Sequence, residues 1–178
     1  RFVMTFCGAN GIALLDGNGK PIWEVAGEHF ESVDVGRICA GVPGLQFAVD
    51  IDHRKWGDGP VWVFDETGQV QTKMMTDYAR HHALVDWTGD GVAEILIGQP
   101  RALFDGQGRR VATFAIDLKD DQTGEERLAL TGDFTGDGVP DVLFTTRAMS
   151  DVYIFKNEHG KKPSPPAPLG TELNLTLY

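Results

Sequence analysis

Short apolar runs alternate with turns rich in Asp, Gly and Asn along the whole of the chain. Runs such as VWVF (61–64) and EILIG (94–98) are shorter than typical helices and rich in β-branched or aromatic residues, which favours β-strands. The clusters between them, such as DGNG (16–19) and DETG (65–68), are typical of tight turns between antiparallel strands. No segment combines a helical apolar period with capping residues. The pattern therefore predicts an all-β protein.

The apolar runs are organised into repeats. The motif Asp-x-Thr-Gly-Asp-Gly occurs at 86–91 and again, 47 residues later, at 133–138. A second motif is an apolar run that ends in an acidic, glycine-containing turn, and its aspartates are Asp16, Asp65 and Asp105. Four short strands in each repeat of about 40–50 residues indicate the blades of a β-propeller.

The repeats divide the chain into four predicted blades with about fifteen strands in all. The first blade lacks its opening strand, and a Pro-rich surface crossing at 161–170 precedes the last strand, LNLTLY (173–178). A complete propeller usually has more than about four blades, so we expect the C-terminal part of a longer propeller. A small, complete four-bladed ring is the alternative. The predicted blades cover about residues 1–28, 29–76, 79–118 and 126–178.

Composition and charge exclude some classes of protein. The net charge of −10 argues against a general nucleic-acid-binding protein. No apolar run approaches the roughly 20 residues of a membrane-spanning helix. Cys7 and Cys39 can form a disulfide or remain buried thiols. Asn174 begins an Asn-Leu-Thr sequon, which is an N-glycosylation site only in a secreted eukaryotic protein.

The two acidic loops carry the ligand types that calcium prefers. Calcium takes several oxygen ligands from a tight turn, including carboxylates, hydroxyls and a main-chain carbonyl. Glycines between the acidic residues allow the backbone to bend so that alternate oxygens converge. The alternative is a pair of Asp-Gly hairpin turns on a solvated edge. The repeated pattern predicts two structural calcium sites, with ligands Asp86, Thr88, Asp90, Val92 (carbonyl) and Glu94, and Asp133, Thr135, Asp137, Val139 (carbonyl) and Asp141.

The second repeat departs from this pattern. It keeps only Asp34 of the ligand set and inserts GRICAGVPG (36–44). We therefore expect no ion in the second repeat.

Basic and aromatic residues collect at the opposite end of the predicted blades. Because strands alternate in direction, the segments before strand one and after strand two lie at the end away from the acidic loops. The arginine fork suits carboxylates, histidine can carry protons near neutrality, and Trp can stack on a sugar ring. Solvated loops, or salt bridges to a neighbouring blade, are the alternative. The residues concerned are His53, Arg54, Trp56, Arg80, His81, His82, Arg101 and Arg147.

The acidic loops resemble the FG-GAP and VCBS repeats of integrin-like β-propellers. Two longer stretches, HHALVDWTGDGVAEILIGQPRALFDGQGRRVATF (81–114) and DVYIFKNEHGKKPSPPAPLGTELNLTLY (151–178), are similar to the C-terminal blades of secreted fungal propeller lyases. These are the L-rhamnose-α-1,4-D-glucuronate lyases, and the resemblance covers about residues 45–178. It implies a secreted, seven-bladed propeller that cleaves an acidic polysaccharide beside glucuronate by β-elimination. We expect a monomer without nucleic-acid or membrane partners.

The same resemblance suggests roles for individual residues. Arg101 and Arg80 would neutralise the uronate carboxylate, and His81, His82, His53, Arg54, Arg147 and Trp56 would bind substrate. In these lyases a His and a Tyr move the protons, with an Arg sixteen residues beyond the Tyr. Tyr78 and Tyr153 lack that Arg, because positions 94 and 169 are Glu and Leu. We therefore expect the proton-transfer residues on earlier blades and an inactive fragment; a non-enzymatic carbohydrate-binding or adhesion propeller is the alternative.

Overall fold

Every helix or strand position that the structure describes is a β-strand, and loops and turns connect the strands. The computed structural model describes residues 2–6, 11–51, 61–76, 82–98, 100–116, 129–145 and 151–162, with side chains from residue 11 onward. These residues form fourteen strands and no helix, and all the strand pairings are antiparallel. In those ranges no helix is therefore long and apolar enough to cross a membrane. The predicted all-β fold is confirmed.

The strands form four small sheets that follow one another along the chain, each a simple meander. The first sheet contains β1 (Phe2–Phe6), β2 (Gly11–Leu15) and β3 (Pro21–Val25). The second contains β4 (Phe30–Gly36), β5 (Gln46–Ile51), β6 (Val61–Phe64) and β7 (Val70–Met74). The third contains β8 (Ala83–Val85), β9 (Glu94–Ile97), β10 (Ala102–Phe104) and β11 (Arg110–Thr113). The fourth contains β12 (Ala129–Gly132), β13 (Asp141–Thr145) and β14 (Val152–Phe155), and the predicted last strand, 173–178, lies outside the described residues.

One hairpin recurs in the first three sheets. The carboxylate of Asp65 accepts hydrogen bonds from the backbone N–H groups of Thr67 (2.8 Å) and Gln69 (3.1 Å), and Gly68 has a φ of 83°. Asp16 and Asp105 hold their turns by the same pair of bonds. Each hairpin has a register shift just before its aspartate, because the glycine adds one bulged residue. The recurring hairpin joins β2 to β3, β6 to β7 and β10 to β11, so the strands that precede it, β1, β5 and β9, are equivalent. The first sheet therefore has no counterpart of β4 or β8 among the described residues.

The sheets pack face to face in chain order, and an apolar cluster fills each interface. The opening strands β4, β8 and β12 contact one another in succession. Between the first and second sheets lie Ile12, Leu14, Phe30, Phe47, Val49, Ile51, Trp62 and Phe64. Between the second and third lie Ile38, Cys39, Ala48, Val61, Val63, Met74, Ile95, Ile97, Ala102 and Phe104. Between the third and fourth lie Val85, Leu96, Leu103, Phe114, Ala129, Val142 and Phe144.

The fourth sheet leaves an apolar face uncovered by the described residues. In the third sheet Leu96 and Leu103 are neighbours across the strands and are both 0% exposed. Their counterparts in the fourth sheet are Leu143 and Ile154, which are also cross-strand neighbours. Ile154 is 49% exposed, and Leu130, on the other side of Leu143, is 41% exposed. Both apolar faces of the third sheet are covered by a neighbouring sheet, whereas among the described residues only the face of the fourth toward the third is covered.

Cys39 is a free thiol in this fold. Its side chain is buried, and its Sγ donates to the carbonyl oxygen of Gly106 at 3.3 Å. Burial, and then the nearby carboxylates of Asp105 and Asp65, raise the pKa of this thiol. Cys7 lies outside the described residues.

Candidate functional site

The loop between β8 and β9 (loop A, residues 86–94) wraps around two carboxylates. Asp86 accepts hydrogen bonds from the N–H groups of Asp90 and Gly91, each at 3.0 Å. Glu94, the first residue of β9, accepts from the N–H of Trp87 at 2.8 Å and from the hydroxyl of Thr88 at 3.3 Å. Glu94 is only 6% exposed, and this burial raises the pKa of its carboxyl.

The loop between β12 and β13 (loop B, residues 133–141) is held by a similar set of internal hydrogen bonds. Asp133 accepts from the N–H groups of Gly136 (2.7 Å), Asp137 (3.0 Å) and Gly138 (2.8 Å). Asp141, at 0% exposure, accepts from the N–H and the hydroxyl of Thr135, both at 2.9 Å. Both loops require left-handed backbone, with φ between 70° and 84° at Gly89, Gly91, Gly136 and Gly138.

The segment after β14 (residues 156–162, the strap) crosses both loops. The N–H of Asn157 donates to Asp141 of loop B at 3.0 Å, and its side-chain amide donates to the carbonyl of Trp87 in loop A at 2.8 Å. Asn157 is 4% exposed. Lys161 packs against Gly89 so closely that an added Cβ on the glycine would lie 2.6 Å from the lysine Cβ. One buried asparagine therefore joins the two loops.

A cationic group already contacts loop B. The ammonium of Lys156 lies 3.0 Å from a carboxylate oxygen of Asp137. The N–H of Val139 and then Lys156 hold the pKa of Asp137 below its ordinary value, and Asp137 raises the pKa of Lys156. The described residues contain no group of three acidic, His or Cys side chains arranged to hold a metal. The donor set of each loop is nevertheless all oxygen, which is the chemistry of calcium, so the two calcium sites stay a prediction.

The second-sheet loop (residues 37–45) contains no carboxylate of its own, and Glu66 in the next hairpin accepts from the N–H of Leu45 at 3.1 Å. Gly36 pairs with Gln46 at its base, as Val85 pairs with Glu94 in loop A, so Gln46 corresponds to Glu94. The Gln46 carbonyl oxygen accepts from the N–H groups of Ile38 (2.9 Å) and Cys39 (3.1 Å). Its amide nitrogen donates to three loop carbonyls, those of Gly44 (3.0 Å), Val42 and Pro43 (both 3.4 Å). A neutral amide therefore satisfies the carbonyls of this loop.

This register corrects the sequence interpretation of Asp34. The residue in the first ligand position is Arg37, and Asp34 lies three residues earlier on β4. The pattern did not reveal the offset, because β4 continues in regular pairing past Asp34 to Gly36 before the loop begins. Asp34 instead faces His82.

Of the residues predicted at the opposite end, only His82 and Arg101 lie among the described residues. The imidazole of His82 is fully buried between the second and third sheets. Its Nε2 lies 3.1 Å from the carbonyl of Ala48 and 3.5 Å from Asp34, and its Nδ1 lies 3.4 Å from the hydroxyl of Ser32. His82 therefore ties the sheets together at this end. The others are outside the described residues: His53, Arg54, Trp56, Arg80, His81 and Arg147.

Two carboxylates accompany His82. Asp50, 1% exposed, accepts from the N–H and the hydroxyl of Ser32, both at 2.6 Å. Its other oxygen is buried and has no hydrogen-bond partner among the described residues. Burial raises the pKa of Asp34, an effect that His82 partly offsets. His82 is therefore a buried histidine beside two acids, and the predicted basic cluster stays a prediction because six of its eight residues lie outside the described ranges.

Arg101 has a strained backbone. It is the only residue other than glycine with a positive φ, 48°, among those described. Its N–H donates to the carbonyl of Gly98 at 3.2 Å, and its carbonyl accepts from Phe114 at 2.8 Å. A side chain in this region costs about 1–3 kcal/mol, and such strain often occurs at functional sites. This feature draws attention to Arg101 among the predicted carboxylate-binding residues.

Sequence reasoning missed several of these residues. Asp50 was visible as an acidic residue inside an apolar run, LQFAVDI (45–51), which signals a buried hydrogen-bonded group. Gln46 and Asn157 carried no local signal, because their partners are far away or depend on the register of a loop.

No family model, curated protein or solved structure matches this chain.

Proposed function

We propose that the four sheets are successive blades of a β-propeller. Three features support this arrangement: the meander in each sheet, the face-to-face packing in chain order, and the contacts between opening strands, which are innermost in a propeller. In a longer propeller the uncovered face with Leu143 and Ile154 would receive a further blade, as the equivalent face of the third sheet receives the fourth.

Loops A and B are proposed to bind one structural calcium ion each, and the repeated oxygen donors support this. The buried carboxylate of Glu94 and the contact between Lys156 and Asp137 both favour a positive charge in the loops. We expect the purified protein to hold two calcium ions per chain, falling to one in Asp90→Ala or Asp137→Ala. Elemental analysis measures this number, with Asp151→Ala, on an exposed residue outside both loops, as control. A calcium-free protein that does not respond to added calcium would identify the loops as plain turns.

For the whole protein we propose a secreted polysaccharide lyase that cleaves beside glucuronate. The observation that carries this proposal is the left-handed backbone of Arg101 at the end away from the acidic loops. In β-elimination a base removes the C5 proton, the C4–C5 double bond forms as the C4–O bond breaks, and an acid protonates the leaving oxygen. An arginine beside the uronate carboxylate stabilises the negative charge that develops in this step. The sequence resemblance to rhamnosyl-glucuronate lyases supports the same substrate class.

The test uses the full-length protein and the absorbance of the unsaturated uronate product. We expect Arg101→Lys, which keeps the charge but loses the fork, to lower turnover about a hundredfold. Arg101→Gly, which relieves the backbone strain, should lower it at least as much without a lower melting temperature. Arg110→Ala, on exposed β11, is the matched control and should retain activity.

Two outcomes would decide against this assignment. Equal, mild losses in the Arg101 and Arg110 variants would remove Arg101 from the site. Polysaccharide binding without any unsaturated product would favour the carbohydrate-binding propeller.

A further inference from the structure

The strap makes contacts that neither loop makes by itself. Its Asn157 is bonded to Asp141 at the end of loop B and to Trp87 near the start of loop A. Gly160 packs onto the Asn157 side chain and onto Val139, so closely that an added Cβ would lie 2.6 Å from that valine. Because Asn157 is buried, it cannot exchange either partner for water without moving the strap.

Calcium in either loop would act on this shared asparagine. An ion in loop A fixes the peptide of Trp87, whose carbonyl holds the amide of Asn157. An ion in loop B fixes Asp141, which accepts from the Asn157 N–H, and takes the carboxylate of Asp137 from Lys156. Ordering the strap once lowers the entropy cost for the second ion, which is a source of positive cooperativity.

We propose that the strap couples the two loops, so that calcium in one loop strengthens calcium binding in the other through Asn157. This inference rests on the proposed calcium sites. It is distinct from them, because two independent sites would satisfy that proposal equally well. Coupling of this kind typically changes affinity by about tenfold.

The metal affinities of the two loops can be measured separately, because the second residue of loop A differs from that of loop B. Loop A has Trp87 and loop B has Phe134, so terbium in place of calcium gives tryptophan-sensitised emission mainly from loop A. We expect Asp137→Asn, which disables loop B, to weaken the terbium affinity of loop A about tenfold. Asp90→Asn should weaken calcium binding at loop B by the same factor, measured by calorimetry, because coupling is reciprocal.

The strap variants identify the route. Asn157→Leu keeps the side-chain volume but removes the amide. In its presence Asp137→Asn should no longer weaken the terbium affinity of loop A, so the ratio of loop A affinities without and with Asp137→Asn should fall from about ten to about one. Glu158→Gln, the next and exposed residue, is the matched control and should keep the ratio. Asp137→Asn also removes a negative charge that could attract the cation in loop A directly. Raised salt screens that attraction, so a ratio carried by the strap should persist at raised salt.

Each result has a definite meaning. An unchanged loop A affinity in Asp137→Asn overturns the coupling and leaves two independent calcium sites, and it does so even where Asn157→Leu fails to fold. A ratio that persists in Asn157→Leu overturns the strap as its carrier. A chain that binds neither terbium nor calcium overturns the calcium sites and the coupling together.

Discussion

Loop A and the second-sheet loop close the same position of the fold with different chemistry. In loop A the first residue of the following strand is a buried carboxylate, Glu94, which accepts hydrogen bonds and brings a charge. In the second-sheet loop it is Gln46, which accepts the same kind of bonds and also donates to three carbonyls. The Gln46 amide donates to carbonyls within its own loop, whereas Glu94 only accepts, so loop A has no equivalent donor at this position. This difference between a carboxylate and an amide fits the proposal that loop A, and not the second-sheet loop, takes a cation.

Gln46→Glu is expected to have the largest effect. The new carboxylate would face the carbonyl oxygens of Val42, Pro43 and Gly44 without any donor of its own. The N–H groups of Ile38 and Cys39 would still donate to one carboxylate oxygen, but the other would be a charged acceptor without a donor. This costs about 3 kcal/mol, which urea unfolding at neutral pH measures. The loss should shrink in acid, where the carboxyl is protonated. Gln107→Glu, on an exposed turn residue, is the control and should change stability little; equal stability of both variants would mean that the loop carbonyls do not need the amide.

Glu94→Gln is expected to have a smaller effect whose sign depends on calcium. Burial raises the folded-state pKa of Glu94, so its contribution to stability is present below the ordinary pKa and is lost as the pH rises through the folded-state pKa. In chelator at neutral pH the variant should therefore melt at or above the parent temperature. With excess calcium it should melt below the parent, because a ligand is missing. Melting curves in chelator and in calcium check this, with Glu158→Gln as control. A melting temperature of Glu94→Gln below that of the parent in both conditions would contradict the proposed difference between loop A and the second-sheet loop.

The strands and hairpin turns were predictable because their causes are local. The aspartates at positions 16, 65 and 105 and the glycine three residues after each one define the turn wherever they occur. The predicted fifteen strands compare with fourteen in the described residues, and the all-β class needed no long-range information.

The candidate site could be predicted from the sequence only in loops A and B, where the same pattern of possible ligands occurs twice. The ligand patterns of loops A and B are visible in the sequence, and the structure places the residues of each pattern in one loop. The position of Asp34 depends on where β4 ends, and the roles of Gln46 and Asn157 depend on the register of a loop and on contacts between sheets. His82 was predicted as a substrate-binding residue at the end away from the loops. Its carboxylate neighbours on β4 and β5 could not be predicted, because they come from another repeat.

The serial packing of the sheets also means that stability varies along the chain. In a stack, each sheet is held only by its nearest neighbours, and the free energy is close to a sum over interfaces. The second and third sheets each have a described neighbour on both faces, whereas the fourth has one face with Ile154 half exposed. Amide protons of β13 and β14 should therefore exchange with solvent sooner than those of β5 and β9, since local opening begins where fewest contacts must break. The strap is attached to the fourth sheet, so the segment that touches both acidic loops is anchored where local opening must break fewer contacts than in the second and third sheets.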